Sequence, residues 1–260
     1  MKIAFYPSSL TDAQWALLEP MLPARRKLGR PPTDRRAVLD AILFIVKAGV
    51  QWRYLPSSFP PWKTVYHIFR KWTLNNTWLA VNDRLRAGVR KQAGRKRTPT
   101  AAILDSQSVK SDGHGGAVGH DAGKQIKGRK RHLLVDTLGL VLGVLATPAC
   151  TPERQGAQTL LAGALDCFDT LRLIWVDGGC TGEAFASWVR GVRPNLKVEV
   201  VKRPDDLEGF KVLPRRRVVE RAFGWLMRHR PLVRDYETTV SSAQAWIHVA
   251  MIRIQLLRLA

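Results

Sequence analysis

The sequence predicts two parts: a small all-α region of helix-turn-helix-like character, then an α/β domain whose sheet is partly antiparallel. In residues 1–98 the apolar residues recur at helical spacing. Beyond residue 99, short apolar runs alternate with helical segments, and two of the runs flank the turn-forming residues 136–139 as in a hairpin. A basic, turn-rich linker, residues 90–99, separates the two patterns. We therefore expect one domain over residues 1–98 and a second over residues 99–260.

Four helices are predicted in the first domain. Thr11, with Gln14 three residues later, is typical of a capping box at the start of the first helix. A second helix is expected from Asp34 to Gly49, because glycine suits a left-handed C-terminal cap. The turn-forming residues 55–61 then precede a third helix over residues 62–72, and a fourth is expected over residues 78–89.

The second domain is predicted to alternate strands with helices. We expect strands at residues 101–105, 131–136, 140–146, 171–176 and 197–202, and helices at residues 153–168, 182–190, 214–229 and 242–259. Residues 111–123 contain five glycines and are expected to form a flexible loop. We interpret His114 and His120 in that loop as ordinary loop histidines rather than metal ligands.

The charge balance indicates a polyanionic partner. The chain has 42 Lys and Arg residues against 21 Asp and Glu, a net charge of +21, and residues 1–98 hold 19 of the basic but 5 of the acidic residues. Nucleic acid fits this excess. A membrane does not, because no apolar run reaches the roughly 20 residues of a spanning helix. With no secretion signal and three cysteines that lack zinc-site spacing, a cytoplasmic protein is expected.

The third predicted helix has an apolar side and a basic side. Val65, Phe69 and Trp72 share the apolar side. We predict that the other side contacts DNA as a helix-turn-helix recognition helix does, through Lys63, His67, Arg70 and Lys71. A merely solvated face is the alternative interpretation. Phosphate contacts are also predicted in the linker, at Arg95, Lys96 and Arg97.

Three acidic residues stand in settings that suit metal ligands. Asp105 and Asp177 each end an apolar run, and side chains at the ends of neighbouring parallel strands meet at one edge of a sheet. Glu220 lies on a predicted amphipathic helix. Crowded carboxylates repel one another unless a cation neutralises them, and hard oxygen ligands suit Mg²⁺ or Mn²⁺. Two such ions can support in-line phosphoryl transfer without a protein nucleophile.

The helix around Glu220 adds residues suited to DNA. Arg216, Glu220, Gly224 and Arg228 are four apart and form one stripe. Gly224 leaves clearance beside Glu220, and Arg216 and Arg228 can then hold phosphates on either side. The alternative is a surface ion pair between Arg216 and Glu220, which stabilises a helix by about 0.2–0.5 kcal/mol.

At these residues the chain resembles the DDE transposases of bacterial insertion sequences, specifically the group typified by insertion sequence five. The resemblance covers nearly the whole chain, and several sequence blocks occur in the same order as in the family. The N-terminal blocks are residues 10–23, 29–32, 49–53 and 61–65. The catalytic blocks are residues 105–110, 128–136, 175–179 and 216–228. Two positions depart from the family pattern: Cys180, where an aromatic residue is common, and Arg217, where tryptophan is common.

The resemblance implies an RNase H-like catalytic fold that depends on Mg²⁺, or on Mn²⁺, with two ions per active site. It makes Asp105, Asp177 and Glu220 the catalytic residues and the metal ligands. It also extends the predicted DNA contacts to the basic residues of the catalytic blocks and their surroundings, namely Lys110, Lys127, Arg129, Lys130, Arg216 and Arg228.

We therefore expect a transposase that binds the terminal inverted repeats of an insertion sequence, cleaves DNA there and transfers the strand to target DNA. Its partner is double-stranded DNA, on which a homodimer is expected because two ends must be held. Its location is the bacterial cytoplasm, associated with the nucleoid. A non-catalytic DNA-binding repressor and a hydrolytic nuclease without strand joining are the alternatives. The repressor leaves Asp105, Asp177 and Glu220 unexplained.

Overall fold

The computed structural model describes residues 6–24, 33–112, 115–180, 182–201 and 214–260, with the side chains of residues 214–216 left out. The helices of these ranges are α1 (Asp12–Leu18), α2 (Arg35–Ala48), α3 (Trp62–Leu74), α4 (Thr77–Gln92), α5 (Glu153–Leu165), α6 (Glu183–Val192), α7 (Pro214–Met227) and α8 (Val240–Leu259). Their strands are β1 (Ala101–Lys110), β2 (Gly119–Asp121), β3 (Ile126–Asp136), β4 (Val141–Pro148), β5 (Leu173–Val176) and β6 (Lys197–Val200).

The strands form one mixed sheet with β1 at its centre. β3 lies antiparallel on one side of β1, and β5 lies parallel on the other. β6 continues the sheet parallel to β5, whereas β4 and the short β2 both pair antiparallel with β3. The predicted hairpin is confirmed: β3 and β4 join through a turn in which Gly139 has a φ of 81°. The parallel half of the sheet is connected through α5 and α6, as parallel strands require.

Helices cover both faces of the sheet. On one face, α5 and α6 pack against a core that includes Leu104, Leu134 and Ile174. On the opposite face, α7, α8 and the N-terminal helices share a second core with Ile103, Leu133 and Trp175. Alternate residues of β1 and β3 therefore point into different cores, which explains why these central strands are apolar along both faces.

α1 and α2 have the predicted caps, but the N-terminal helices are not joined by a tight turn. The capping box of Thr11 and Gln14 is present, and α2 begins after Asp34 and ends at Gly49, whose φ is 73°. Residues 49–61 separate α2 from α3 and include a short 3-10 turn. This connector is longer than the turn of about 3–4 residues in a helix-turn-helix.

The helical region is packed onto the sheet. α4 extends to Gln92, so Arg90 belongs to this helix and not to the linker where the sequence pattern placed it. α4 lies along α8, where the Gln255 amide donates to Asn82 Oδ1 at 3.2 Å. The Asn82 side chain in turn donates to the carbonyl of Val141 in β4. One hydrophobic core therefore joins the N-terminal helices to the sheet.

Two further details differ from the sequence-based expectation. β1 extends to Lys110, so Asp105 lies in the middle of a strand that pairs with β3 along its length. The expected loop over residues 111–123 contains β2, on which His120 is exposed. His114 and the block at residues 29–32 lie outside the described residues. None of the helices in the described ranges combines the length and the apolar character that crossing a membrane requires.

Candidate active site

Asp105 and Asp177 lie side by side because β1 and β5 are parallel and in register. Ile103 pairs with Trp175, and each aspartate follows two residues later on its own strand. Residues two apart on a strand share a face, so both side chains continue the face that α7 covers. β5 ends at Val176 while β1 continues beside β3, and a small cleft opens where the two strands diverge, lined in part by Asp105 and Asp177.

α7 reaches the same cleft through Val219, the residue before Glu220. Val219 is buried against Ile103 and Trp175, whereas Glu220 itself is exposed. A Cβ added at Gly224, one turn after Glu220, would meet no atom of the described residues within 4 Å. The side of α7 that carries Glu220 and Gly224 therefore has open space at Gly224, as predicted from the sequence.

A fourth carboxylate, Glu153, lies at this edge of the sheet. It begins α5 after Pro152, and its Oε1 accepts hydrogen bonds from Ser106 Oγ at 3.0 Å and from Lys124 Nζ at 3.2 Å. Burial raises the pKa of Glu153, but these hydrogen bonds outweigh burial and hold it below its usual value. Sequence reasoning missed this residue, because a glutamate in the first turn of a helix is commonplace.

Gly179 allows Glu153 to approach Asp177. A Cβ built on Gly179 would lie 2.0 Å from Glu153 Oε2 and 3.3 Å from Asp177 Oδ1. Asp177 Oδ1 also accepts from the Gly179 backbone N–H at 3.1 Å. The predicted Asp-Gly-Gly block therefore has a steric reason: a larger side chain at its last position would occupy the space of the Glu153 carboxylate.

Cys180 shows how much negative charge is concentrated here. The side chain is buried, and burial followed by the charges of Asp177, Glu153 and Asp105 raises the pKa of its thiol to about 12. The thiol therefore stays protonated and packs as a small apolar group in the core under β5. That packing explains how cysteine is accommodated where an aromatic residue is common.

The donor set suits a hard divalent cation, because it consists of carboxylates at one sheet edge. Asp105 and Asp177 line one cleft, and Glu220 lies on α7 next to Val219, which lines that cleft too. Within the described ranges, however, no group of three or more His, Cys, Asp or Glu side chains is arranged to hold a metal ion. The chemistry of the side chains fits the cation, and their arrangement is not a closed coordination sphere.

The basic residues predicted on α3 divide into two groups. Lys63, His67 and Lys71 are exposed. Arg70 is half-buried, and its guanidinium donates to the hydroxyls of Ser241 and Ser242 at the start of α8, at 3.1 and 3.0 Å. Arg70 therefore joins two helices.

The other residues predicted to contact DNA also differ in their exposure to solvent. The exposed residues are Arg95, Lys96, Arg97, Lys110, Lys127 and Arg228. Arg129 and Lys130 are buried in β3: Arg129 pairs with Asp235 at 3.1 Å, and Lys130 donates to the Thr151 carbonyl at 2.9 Å. These two side chains hold loops against the sheet, because both faces of β3 are covered. The side chain of Arg216 lies outside the described residues.

Fold and site together define a class of protein. The sheet is mixed, in the order β4, β3, β1, β5 and β6. With one aspartate on β1, a second directly after β5 and a glutamate on a packed helix, it is an RNase H-like catalytic domain. Comparison with known proteins agrees. A family model described as "Transposase DDE domain" matches residues 96–254, and one described as "Putative transposase of IS4/5 family" matches residues 10–82. The chain belongs to the family of transposases with a DDE domain, which act on DNA.

Two relatives were found among curated proteins. The "Insertion element IS402 uncharacterized 16.2 kDa protein" of Burkholderia cepacia is 32% identical over 117 residues, which is 42% of this chain and 78% of that protein. The "Uncharacterized protein y4sN" of Sinorhizobium fredii (strain NBRC 101917 / NGR234) is 33% identical over 64 residues, 24% of this chain and 51% of that protein. No solved structure gives a significant match.

Proposed function

We propose that this chain is a transposase that binds the terminal inverted repeats of an insertion sequence, cleaves DNA at those ends and joins the freed strand to target DNA. The observation that carries the proposal is the parallel register of β1 and β5, which sets Asp105 beside Asp177 at a cleft that is also lined by Val219, the neighbour of Glu220 in α7. Family membership supports a DNA-cleaving enzyme.

The proposed catalytic residues and metal ligands are Asp105, Asp177 and Glu220, which hold two Mg²⁺ ions, or Mn²⁺. Bound divalent ions supply charge stabilisation for the attacking and leaving oxygens of a phosphoryl transfer. The protein positions the ligands. The Ser106 backbone N–H donates to Asp105 Oδ1 at 2.7 Å, and the Gly179 N–H donates to Asp177 Oδ1. Glu153, held by Ser106 and Lys124, completes the acidic edge.

DNA binding is proposed to follow the exposed basic residues. Residues 1–98 act as the DNA-binding domain, through Lys63, His67 and Lys71 on α3 and the linker residues Arg95, Lys96 and Arg97. Residues 99–260 act as the catalytic domain, and its exposed Lys110, Lys127 and Arg228 hold phosphates near the cleft. Arg216 is kept among the proposed phosphate contacts because of its position in the sequence, four residues before Glu220. The partnered Arg70, Arg129 and Lys130 are left out.

The assembly is proposed to be a homodimer on double-stranded DNA, because transposition holds two ends of the element at once. A bacterial chain with this excess of positive charge would work in the cytoplasm on the nucleoid. The packing of α4 along α8 supports a fixed relation between the two domains, so DNA held by one is presented to the other.

A strand-transfer assay tests the proposal. The wild-type chain is incubated with Mg²⁺, target DNA and a duplex that carries the inverted repeat flanking its gene, supplied in one reaction intact and in another pre-cut. Asp105→Asn is expected to bind the duplex and to join no ends. The matched control is Asp166→Asn, the same change at an exposed position at the far end of α5 from Glu153, which should join ends like the wild type.

The other outcomes separate the alternative functions. Cleavage of intact ends without joining would favour a nuclease, and binding with neither reaction would favour a repressor. Normal joining by Asp105→Asn would overturn the assignment of the active site.

A further inference from the structure

A groove lies on the flank of α7 that carries Arg221, the residue after Glu220. It has a volume of about 400 Å³ and runs between the end of α4, the β3–β4 turn, α7 and the end of α8. Its lining residues are Val89, Gln92, Ala93, Leu138, Arg221, Trp225 and Arg258. Arg221 follows Glu220 in the chain, and Trp225 follows Gly224, so the groove continues the exposed face of α7 around the helix.

Two arginines converge on one indole in this groove. The guanidinium carbon of Arg258 lies 4.4 Å from the centroid of the Trp225 ring, and that of Arg221 lies 5.0 Å from it. Both distances are within the range of cation–π attraction. The β3–β4 turn packs against the indole on another side. Gly139 of that turn lies so close that a Cβ built on it would be 2.9 Å from Trp225 Cζ3. Trp225 is therefore a fixed platform on which both guanidiniums rest.

The two guanidiniums repel each other. Among the described residues, neither Arg221 nor Arg258 forms an ion pair with a carboxylate. Burial first, and then the charge of Arg221, lowers the pKa of Arg258. Asp136 opposes this effect, but its carboxylate is already paired with Arg90 and accepts the backbone N–H groups of Leu138 and Leu140. Two cations held together without a partner form a site for an anion.

We propose that Arg221 and Arg258, held on Trp225, clamp a backbone phosphate of the DNA strand that passes Glu220. This inference rests on the proposed function. A guanidinium stacked on a ring keeps its edge N–H groups free, and those donors match phosphate oxygens. The ring face is covered by the arginines, so the groove takes a phosphate and not a stacked base. The exposed Arg95, Lys96 and Arg97, which follow the α4 end of the groove, extend the same positive surface.

The test measures DNA affinity over a series of salt concentrations, by fluorescence anisotropy of a labelled duplex carrying the terminal repeat. The double variant of Arg221→Gln and Arg258→Gln should reduce the slope of log Kd against log salt by about 0.9, because losing the one clamped phosphate removes one counterion-release term. Each single variant should weaken affinity and reduce the slope by no more than that. Arg172→Gln is the control for charge alone. Arg172 is exposed at the start of β5, the opposite end of that strand from Asp177, and its removal should leave the slope unchanged.

Trp225→Leu separates position from charge. It keeps both arginines and the net charge but removes the ring on which they rest, so the affinity for DNA should fall several-fold. Circular dichroism and the thermal midpoint would show that the variant is folded. Wild-type affinity in Trp225→Leu, or a wild-type slope in the double arginine variant, would overturn the clamp while leaving the proposed function intact. A wild-type chain with no salt-dependent DNA binding would overturn both.

Discussion

Arg90 of α4 and Asp136 of β3 form a buried ion pair, with Nη1 and Oδ2 2.5 Å apart. Their side chains are 6% and 0% exposed. The other oxygen of Asp136 accepts the backbone N–H groups of Leu138 and Leu140, so one carboxylate ties the N-terminal helices to the β3–β4 turn. The Arg90 Nε also donates to the Lys96 carbonyl, which fixes the path of the linker.

Removing one partner of this pair should be strongly destabilising. Asp136→Asn leaves the Arg90 charge buried without its counter-charge, and breaking a buried pair in this way costs about 3–5 kcal/mol. The free energy of unfolding in urea measures the effect. Glu183→Gln is the control, because it removes the exposed pair between Glu183 and Arg190 on α6 and should change stability little. Equal effects of the two substitutions would contradict a structural role for the buried pair.

Gly179→Ala should impair catalysis more than folding. The added Cβ would occupy the position of the Glu153 carboxylate, and the flexible end of that side chain can move away at small cost to stability. If Glu153 positions the acidic edge, DNA cleavage should fall by about 10–100-fold, as when a residue that supports metal ligands is lost. Glu153→Gln should reproduce the loss.

The neighbouring glycine provides the matched control for that prediction. Among the described residues, a Cβ at Gly178 would meet no atom within 4 Å, so Gly178→Ala should keep wild-type cleavage. Cleavage rates and the Mg²⁺ concentration for half-maximal rate should be measured for all three variants. Unimpaired cleavage by Gly179→Ala would show that the position of Glu153 is unimportant.

Lys71 and Arg70 are adjacent on α3, but replacing each by glutamine should have different effects on DNA binding and on stability. Lys71→Gln is expected to weaken DNA binding and to reduce its salt slope by about 0.9, without a change in the thermal midpoint. Arg70→Gln loses hydrogen bonds to the start of α8, and a loss of about 1 kcal/mol would lower the midpoint by about 2–4 °C. Calorimetry and anisotropy on both variants check this. A stability loss confined to Lys71→Gln would reverse the assignment.

Acid should destabilise the fold through its buried histidines. Burial lowers the pKa of His132, His229 and His248, each to about 4. Because the pKa of an unfolded histidine is about 6.5, protons bind the unfolded chain preferentially between these values. Stability should therefore be complete above about pH 6.5 and decline as the pH falls towards 4, by up to about 1.4 kcal/mol per pH unit for each histidine.

Urea unfolding at several values between pH 7 and pH 5 measures this decline. His248→Gln removes one of the three groups and should make the decline shallower. A wild-type free energy of unfolding that is constant over that range would contradict the prediction.

Local signals in the sequence were enough for much of the fold. The capping box at Thr11, the glycine that ends α2 and the turn before Gly139 were predictable, because each depends on residues a few positions apart. The apolar runs before Asp105 and Asp177 located β1 and β5 for the same reason. The length of β1 was not predictable, because its second half is a strand only by pairing with β3.

The sequence by itself determined the class of the protein, since the order of its acidic blocks and its positive charge are properties of the chain. The tertiary structure decided which side chains meet. It set Asp105 beside Asp177 through strand register, brought Glu153 to them across the sheet edge, and paired Arg129 in the interior. Periodicity cannot predict such contacts, because they join residues far apart in the chain. Whether a charged side chain such as Arg129 faces solvent or a buried partner is decided only when the chain folds, because only then is the side chain removed from water.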